Sequence, residues 1–247
     1  MRKKVLFIGM LVTLLFAFSG CGTKNEGVVT LIMSDVQEGD HPTAQACDKF
    51  AELVKKRTNG KVVIEVYHGS TLGTEAEQIA QATVGGIDFV RVSSPVAAYY
   101  DDIKAFQALY LYSSEDDMWK VLDGEIGNEF LKAQQLKDNG LEGLCWISGG
   151  SRNFYNNVRP ITSPEDLAGL TLRVNTDSMF AFLESCGAKG INVSYNDIYN
   201  SIEAGTIDGA ENNWPSYIST GHYKVAPYIT VDEHTRRKHV SALIIDH

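Results

Sequence analysis

Apolar and polar positions fall into short alternating blocks along this chain. Val28 to Ser34 (VVTLIMS) is a β-branched apolar run of the kind that forms a buried strand. His41-Pro42 then opens a helical pattern, with Ala46, Phe50, Leu53 and Val54 on one face and Asn59-Gly60 as the stop. Lys61 to Tyr67 (KVVIEVY) reads as a second strand. Thr74-Glu75-Ala76-Glu77 has the form of a capping box, and the helix it starts stops at Gly85-Gly86. Asp88 to Val92 (DFVRV) is a third strand. A β-α-β-α-β order predicts a parallel sheet with crossover helices, and such sheets bind ligands beyond the carboxyl ends of their strands.

The second half repeats this grammar. A strand is expected at Leu141 to Ile147, with Arg152 in the loop after it. Ser163-Pro164-Glu165-Asp166 supplies a cap, a Pro at the first helical position and acids in the first turn, and Gly169 ends that short helix. Leu170 to Val174 (LTLRV) reads as a strand, Met179 to Ser185 as a helix, and Gly190 to Val193 as another strand. Ser194 to Asp197 starts a helix carrying Ile198 and Ile202 one turn apart, and Gly205 ends it. Two echoes, GGIDF from Gly85 and GTIDG from Gly205, each join a helix stop to Ile-Asp and a strand start. They fit two halves of shared topology with a cleft between them.

The N-terminus is different in kind. Arg2, Lys3 and Lys4 precede an apolar stretch from Val5 to Phe18, then Ser19-Gly20-Cys21. That is the form of a secretory signal, too short and wrongly flanked for a stable membrane span. Phe18 to Cys21 resembles a lipobox, which implies acylation of Cys21 and anchoring to a bilayer surface; the other reading is a plain cleaved signal with an incidental Cys. The formal charge of −9 becomes −12 once those three cations are removed. A net-acidic chain argues against nucleic acid as a partner, because phosphate binding needs a basic face. Cys47, Cys145 and Cys186 show no CxxC spacing and read as small buried apolar residues.

Catalytic and metal signatures are missing. GxxxxGK[ST] and HExxH do not occur, and Asn153 stands where a nucleophile elbow would need Gly. His234 and His239 are five apart, the wrong interval for one helical face. Neither a metal nor a cofactor is expected. DGAENNWPSY, from Asp208 to Tyr217, concentrates carboxylates and amides, with Asp208 and Gly209 expected to shape the turn out of the preceding helix. Asp208 and Glu211 as paired carboxylates would suit a hydrolase or lyase acting on acidic sugars, but no partner base is evident. The arginines are more informative. Arg173 has apolar neighbours on both sides within LTLRV, so its charge needs a counter-ion, either a buried structural carboxylate or the carboxylate of a ligand. Arg152 and Arg91 also sit at strand ends or interiors, and together the three suggest an anion site whose planar forks suit a carboxylate.

The ordered segments Gly150 to Arg152, Pro164 to Arg173, Asp197 to Asn212 and the later His234 resemble the solute-binding proteins of tripartite ATP-independent periplasmic (TRAP) transporters, of the C4-dicarboxylate-binding type. TNGKVVIEVYHGSTLGTEAE and GGIDFVRVS fit the same pattern, while Asp197 and Ile202 depart mildly from the usual Glu and Leu. The resemblance implies an α/β two-lobed clamshell with mixed, mainly parallel sheets, closing on an organic acid and delivering it to membrane permease subunits. It also implies a non-enzymatic, extracytoplasmic, lipid-anchored protein. By position, Arg173 resembles the family's carboxylate clamp, Arg152 its second arginine, Asn212 a polar contact and Tyr195 the aromatic before the next helix. Asn175 or Thr176 matches the polar turn after Arg173, and Glu75 and Arg91 fall at variable specificity positions. His41, Asn213 and Trp214 complete the candidate ligand set. The stretch DGAENNWPSYISTGHYKVAPYITVDEH resembles the branch that takes sugar acids, so glucuronate or galacturonate is favoured over a C4-dicarboxylate; a sensing or adaptor lipoprotein is the other reading. The expected layout is a signal peptide over residues 1–20, a first lobe mainly in 21–149, a second mainly in 150–233, and a return toward the first lobe in 234–247. Family members continue past this point into a further strand and long helices, so the resemblance implies a C-terminally truncated chain.

Overall fold

Every β-branched run of the first half becomes a strand, and the two crossovers carry helices. The computed structural model describes residues 27–235 and 240–246; the signal-like segment, Cys21 and His239 lie outside them. The chain runs β1 (Val29–Ser34), α1 (Pro42–Arg57), β2 (Val62–Tyr67), α2 (Glu75–Ala82) and β3 (Phe89–Val92). Three short helices follow, α3 (Glu115–Leu122), α4 (Glu125–Leu131) and α5 (Gln134–Asp138), then β4 (Leu141–Ser148). The second half runs β5 (Arg152–Asn156), β6 (Thr171–Arg173), α6 (Asp177–Ser185), β7 (Lys189–Ile191), α7 (Ile198–Glu203), β8 (Gly209–Asn213), α8 (Trp214–Ser219), β9 (Tyr228–Thr235) and β10 (Val240–Asp246).

These strands make two five-stranded sheets, ordered β2-β1-β3-β10-β4 and β7-β6-β8-β5-β9. In the first, β1 lies parallel between β2 and β3, and β10 inserts antiparallel between β3 and β4. In the second, β6 lies parallel between β7 and β8, and β5 runs antiparallel to both β8 and β9. Each sheet thus joins a parallel unit to antiparallel strands, and both faces are covered. Met33 and Ile64 pack with Cys47 and Ala51 of α1, while Ile79 of α2 packs with Val90, Val92 and Leu141 on the other side. In the second sheet Leu172 and Val174 meet Leu183 of α6, while Tyr155 and Ala210 meet Ile198 and Ile202 of α7.

The two echoes hold equivalent places. After each helix stop a buried Ile, Ile87 or Ile207, enters the core. The Asp that follows then closes a pair of bonds to the neighbouring parallel strand. Asp88 accepts at Oδ2 from Ile32 N (2.7 Å) and donates its own N–H to Ile32 O (3.0 Å). Asp208 does the same with Thr171, at 2.7 and 2.8 Å. Each carboxylate satisfies a strand N–H that the ladder would otherwise leave open.

The Thr74 capping box is present, Thr74 N donating to Glu77 (2.8 Å) and Glu77 N to Thr74 Oγ1 (3.4 Å). Elsewhere the expectations need correction. Arg152 opens a strand instead of occupying a loop, and Gly209 begins a fully buried strand instead of shaping a turn. Polar composition misleads in both, because Asn153, Asn156, Glu211, Asn212 and Asn213 are all buried on or beside the central strands of the second sheet. Pro164 to Leu167 is a 3₁₀ turn, and a second one, Tyr195–Asp197, leads into α7. Only Cys47 is the buried cysteine expected, its thiol pKa pushed up to about 12 by burial and then by Asp35. Cys145 is exposed on edge strand β4 and Cys186 half-exposed at the end of α6.

Gly209 is required by close packing: a Cβ there would lie 2.0 Å from Tyr155 O, across the β5–β8 pair. Gly209→Ala should therefore destabilise the chain by about 1–3 kcal/mol, read as a lower urea midpoint. Gly205→Ala, at a helix end with φ +69° and open space around it, should cost only about 1 kcal/mol. Equal midpoints for the two variants would contradict this packing account.

Candidate ligand-binding cleft

Both parallel units aim the carboxyl ends of their strands at one cavity. Val36 and Gln37 follow β1, Ser93 follows β3, Arg173 ends β6 and Asn175 lies just past it, and Asn212 and Asn213 end β8. The cavity measures about 550 Å³. Glu75, Arg152, Arg173, Asn175, Tyr195, Asn212 and Asn213, seven of the ten candidate ligand residues, line it. Arg91, His41 and Trp214 do not. Trp214 is 41% exposed and packs edge-on against Tyr217.

The three buried arginines have different fates. Arg91 is 1% exposed, and its Nε and Nη2 each reach Asp35 Oδ1 at 2.7 Å. Asp35 also accepts from Gln37 N at 3.1 Å, so this ion pair fixes the loop that carries Gln37 to the cavity. Arg152 forks onto the Glu211 carboxylate through Nε and Nη2, with Nη2 at 2.8 Å from both Glu211 Oε1 and Glu211 O. Arg173 donates Nε to Val193 O at 3.0 Å, and no carboxylate among the described residues lies within 4.0 Å of it. Burial and the neighbouring Arg152 push its pKa down, whereas Asp35 and Glu211 outweigh burial at the other two and push theirs up. An arginine stays charged regardless. Glu211 and Glu75 offset the cost of burying this guanidinium only in part, and an anion in the cavity would offset more of it.

Polar bridges join the walls. Tyr195, whose hydroxyl pKa burial raises to about 12, donates to Gln37 Oε1 at 2.6 Å. Asn175 Nδ2 donates to Ser94 Oγ at 2.7 Å, and Ser70 Oγ to Asn196 Oδ1 at 2.7 Å. Ser216 Oγ lies 3.3 Å from His41 Nε2, and His41 Nδ1 lies 2.8 Å from Thr43 Oγ1. His41 is thus a linchpin between the halves at the head of α1, and burial followed by Arg91 lowers its pKa. Asn213 Oδ1 caps α8 by accepting from Ser216 N at 2.8 Å, and Asn212 Oδ1 accepts from Asn213 N at 2.8 Å. Glu75 spends its carboxylate on Ser93, accepting from the backbone N and, at 2.8 Å, from Oγ. Sequence reasoning missed Gln37 and Ser93; their position just past β1 and β3 was the available signal. Among the described residues no group of three or more His, Cys, Asp or Glu side chains is placed to hold a metal ion.

Two α/β lobes with a polar cleft at their strand ends, floored by a buried cation, define a solute-binding fold. The model of bacterial extracellular solute-binding protein family 7 (DctP) matches residues 33–244, and the chain belongs to that family. A solute-binding protein of Chromohalobacter salexigens is 35% identical over 202 residues, covering 81% of this chain and 60% of that protein. The C4-dicarboxylate-binding protein DctB of Bacillus subtilis is 29% identical over 203 residues, again 81% of this chain and 57% of the relative. The chain therefore spans about three fifths of the length of these two relatives. Among solved structures, a TRAP periplasmic solute-binding protein from Sulfitobacter sp. NAS-14.1 with bound β-D-galacturonate has TM-score 0.82 at 30% identity, over 88% of this chain and 72% of that one. One from C. salexigens with bound D-glucuronate has TM-score 0.81 at 32% identity, over 87% and 71%.

Behind the cleft, His222 is 1% exposed with Nδ1 at 2.8 Å from Tyr155 OH, and burial followed by Arg173 brings its pKa down to about 4. The unfolded chain protonates this group near 6.5, so between the two values it binds more protons than the folded one. Its contribution is intact above about pH 6.5 and is lost as pH falls toward 4, by about 2–3 kcal/mol. Melting temperatures from pH 7 to pH 4 should fall less steeply in His222→Phe than in the unchanged chain; parallel curves would count against this assignment.

Proposed function

We propose that this chain is the ligand-capturing component of a TRAP-type transporter, and that it takes a sugar acid, glucuronate or galacturonate, and hands it to a membrane permease. The observation that carries the reading is Arg173: a buried guanidinium on the cavity wall, met by no carboxylate among the described residues. A ligand carboxylate held there would supply the missing counter-charge in a bidentate fork. The cavity volume lies within the range of small-molecule sites. Hydroxyls and amides, among them Ser93, Tyr195, Asn175 and Asn212, stand beside apolar Val36, Pro95 and Val193 in the lining, and these polar groups suit a ring of ligand hydroxyls. Relatives solved with bound galacturonate and glucuronate support the same class.

A C4-dicarboxylate is the weaker reading. Two carboxylates call for two available cations, and Glu211 already neutralises Arg152. The hydrolase alternative has less support still. The Asp208 carboxylate holds Thr171 N and that of Glu211 holds Arg152, so neither is a free acid or base facing the cavity. Family members are described as extracellular, and among the described residues no helix is long and apolar enough to cross a membrane. Retention at the membrane through acylated Cys21 is part of the proposal, supported by the lipobox-like sequence. The permease would sense lobes drawn together by a ligand touching both.

Calorimetric titration of the full chain with D-glucuronate, D-galacturonate and succinate tests this reading. The hexuronates should bind more tightly than succinate, and Arg173→Ala should weaken hexuronate binding by about 2–5 kcal/mol. Unchanged affinity in that variant would remove Arg173 from the ligand.

A further inference from the structure

A second cavity, of about 460 Å³, opens beside the acid cleft, and Tyr195 and Asn196 line both. The rest of its wall is different. Glu38 and Asp40 come from the loop after β1 in the first lobe, and Tyr199, Ser219 and His222 from α7, α8 and the turn beyond α8 in the second. Both carboxylates are exposed, and neither joins an ion pair among the described residues. The second lobe brings two unmet polar groups. Ser219 Oγ is buried with no hydrogen-bond partner among the described residues. His222, 1% exposed, spends Nδ1 on Tyr155 OH at 2.8 Å, and its Nε2 has no partner among the described residues. Tyr155 OH has no other acceptor among them, so it donates to Nδ1; the reverse arrangement would leave a buried O–H unpaired. The imidazole proton therefore sits on Nε2, an N–H donor without an acceptor in the cavity wall.

We propose that this cavity is a second binding site, for an uncharged sugar, and that its occupant strengthens binding of the acid in the neighbouring cleft. One wall carries acceptors, the Glu38 and Asp40 carboxylates, and the other carries donors, His222 Nε2 and the Ser219 hydroxyl. A sugar hydroxyl answers both, because it donates and accepts at one oxygen. A second acid is excluded: it would press its carboxylate against Glu38 and Asp40, where no cation of the wall relieves the repulsion. A simple ammonium could meet the carboxylates but has no acceptor for His222 Nε2. Tyr195 and Tyr199 add aromatic surface for the apolar edge of a ring. The coupling follows from where the walls originate. A sugar bonded to Glu38 or Asp40 on one lobe and to Ser219 or His222 on the other favours lobes drawn together, the same arrangement that an acid touching both walls of the cleft favours.

The test is calorimetry on the full chain, titrating D-galacturonate with and without excess D-galactose, and D-galactose alone. The sign of the effect separates one site from two. Galactose in its own site should tighten galacturonate binding by about fivefold, whereas galactose competing for the acid cleft would weaken it and overturn the proposal. No change in galacturonate affinity would overturn it as well. Glu38→Gln combined with Asp40→Asn, and separately Ser219→Ala, should weaken galactose binding at least about tenfold and abolish the tightening, with galacturonate affinity in the absence of galactose unchanged, since none of the three residues lines the acid cleft. Galactose binding that survives both changes would overturn the site. Ethanolamine that tightens galacturonate as well as galactose does would make the carboxylates an ammonium site and overturn the sugar assignment. A chain that fails to bind galacturonate defeats the sugar-acid reading alone; the second site is then read from galactose alone, where loss in the variants supports it and persistence overturns it.

Discussion

A guanidinium carried into a protein interior needs a counter-charge, and the described residues bury three: Arg91, Arg152 and Arg173. Most of the site follows from how that demand is met. Asp35 answers Arg91 and, in doing so, fixes the backbone of Gln37 at the rim of the cavity. Glu211 answers Arg152 across the β5–β8 pair, which places a neutralised fork at the cavity floor. Arg173 alone is left to a backbone carbonyl, and the cleft is cationic at that point because its neighbours are not available to balance it. On the proposed reading, a binding site here is the residue of an incomplete internal charge balance.

The scaffold that holds this arrangement is built twice from one local device. In both halves a helix ends at a positive-φ glycine, an Ile enters the core, and an Asp carboxylate caps the N–H of the neighbouring parallel strand. Three residues beyond that Asp comes the charged member of a buried ion pair, Arg91 after Asp88 and Glu211 after Asp208. The polarity is reversed between halves, so the first sheet presents its strand-borne cation beneath the cleft and the second its strand-borne anion. Two copies of one crossover unit therefore face each other with unlike electrostatics. Hydrogen bonds from Tyr195 to Gln37 and from Asn175 to Ser94 tie their open ends together.

Much of this was legible in periodicity and punctuation. The strands around Leu31, Val63 and Val90, the Thr74 capping box and the glycine helix stops are local features, set by side-chain shape and backbone freedom within a few residues. The order of elements placed the cleft at the strand ends, and the motif resemblance brought seven ligand candidates to the cavity wall. Polar strands were not legible. Arg152–Asn156 and Gly209–Asn213 have the composition of loops, and they become strands because each satisfies the other's backbone while Glu211 discharges Arg152. Pattern reading has no access to a partner 59 residues away in the chain.

The amino-acid order by itself determined the class of fold, the repeated crossover unit and the residue types gathered for an anion. It could not assign the arginines, because the same guanidinium is structural or ligand-facing according to which carboxylate the folded chain brings beside it. Tertiary structure made that choice. It gave Arg91 and Arg152 partners from distant segments, left Arg173 facing the cavity, and set Glu75 on the other lobe. The reason is that electrostatic compensation acts through space at a few ångströms, between groups whose separation along the chain carries no information about it.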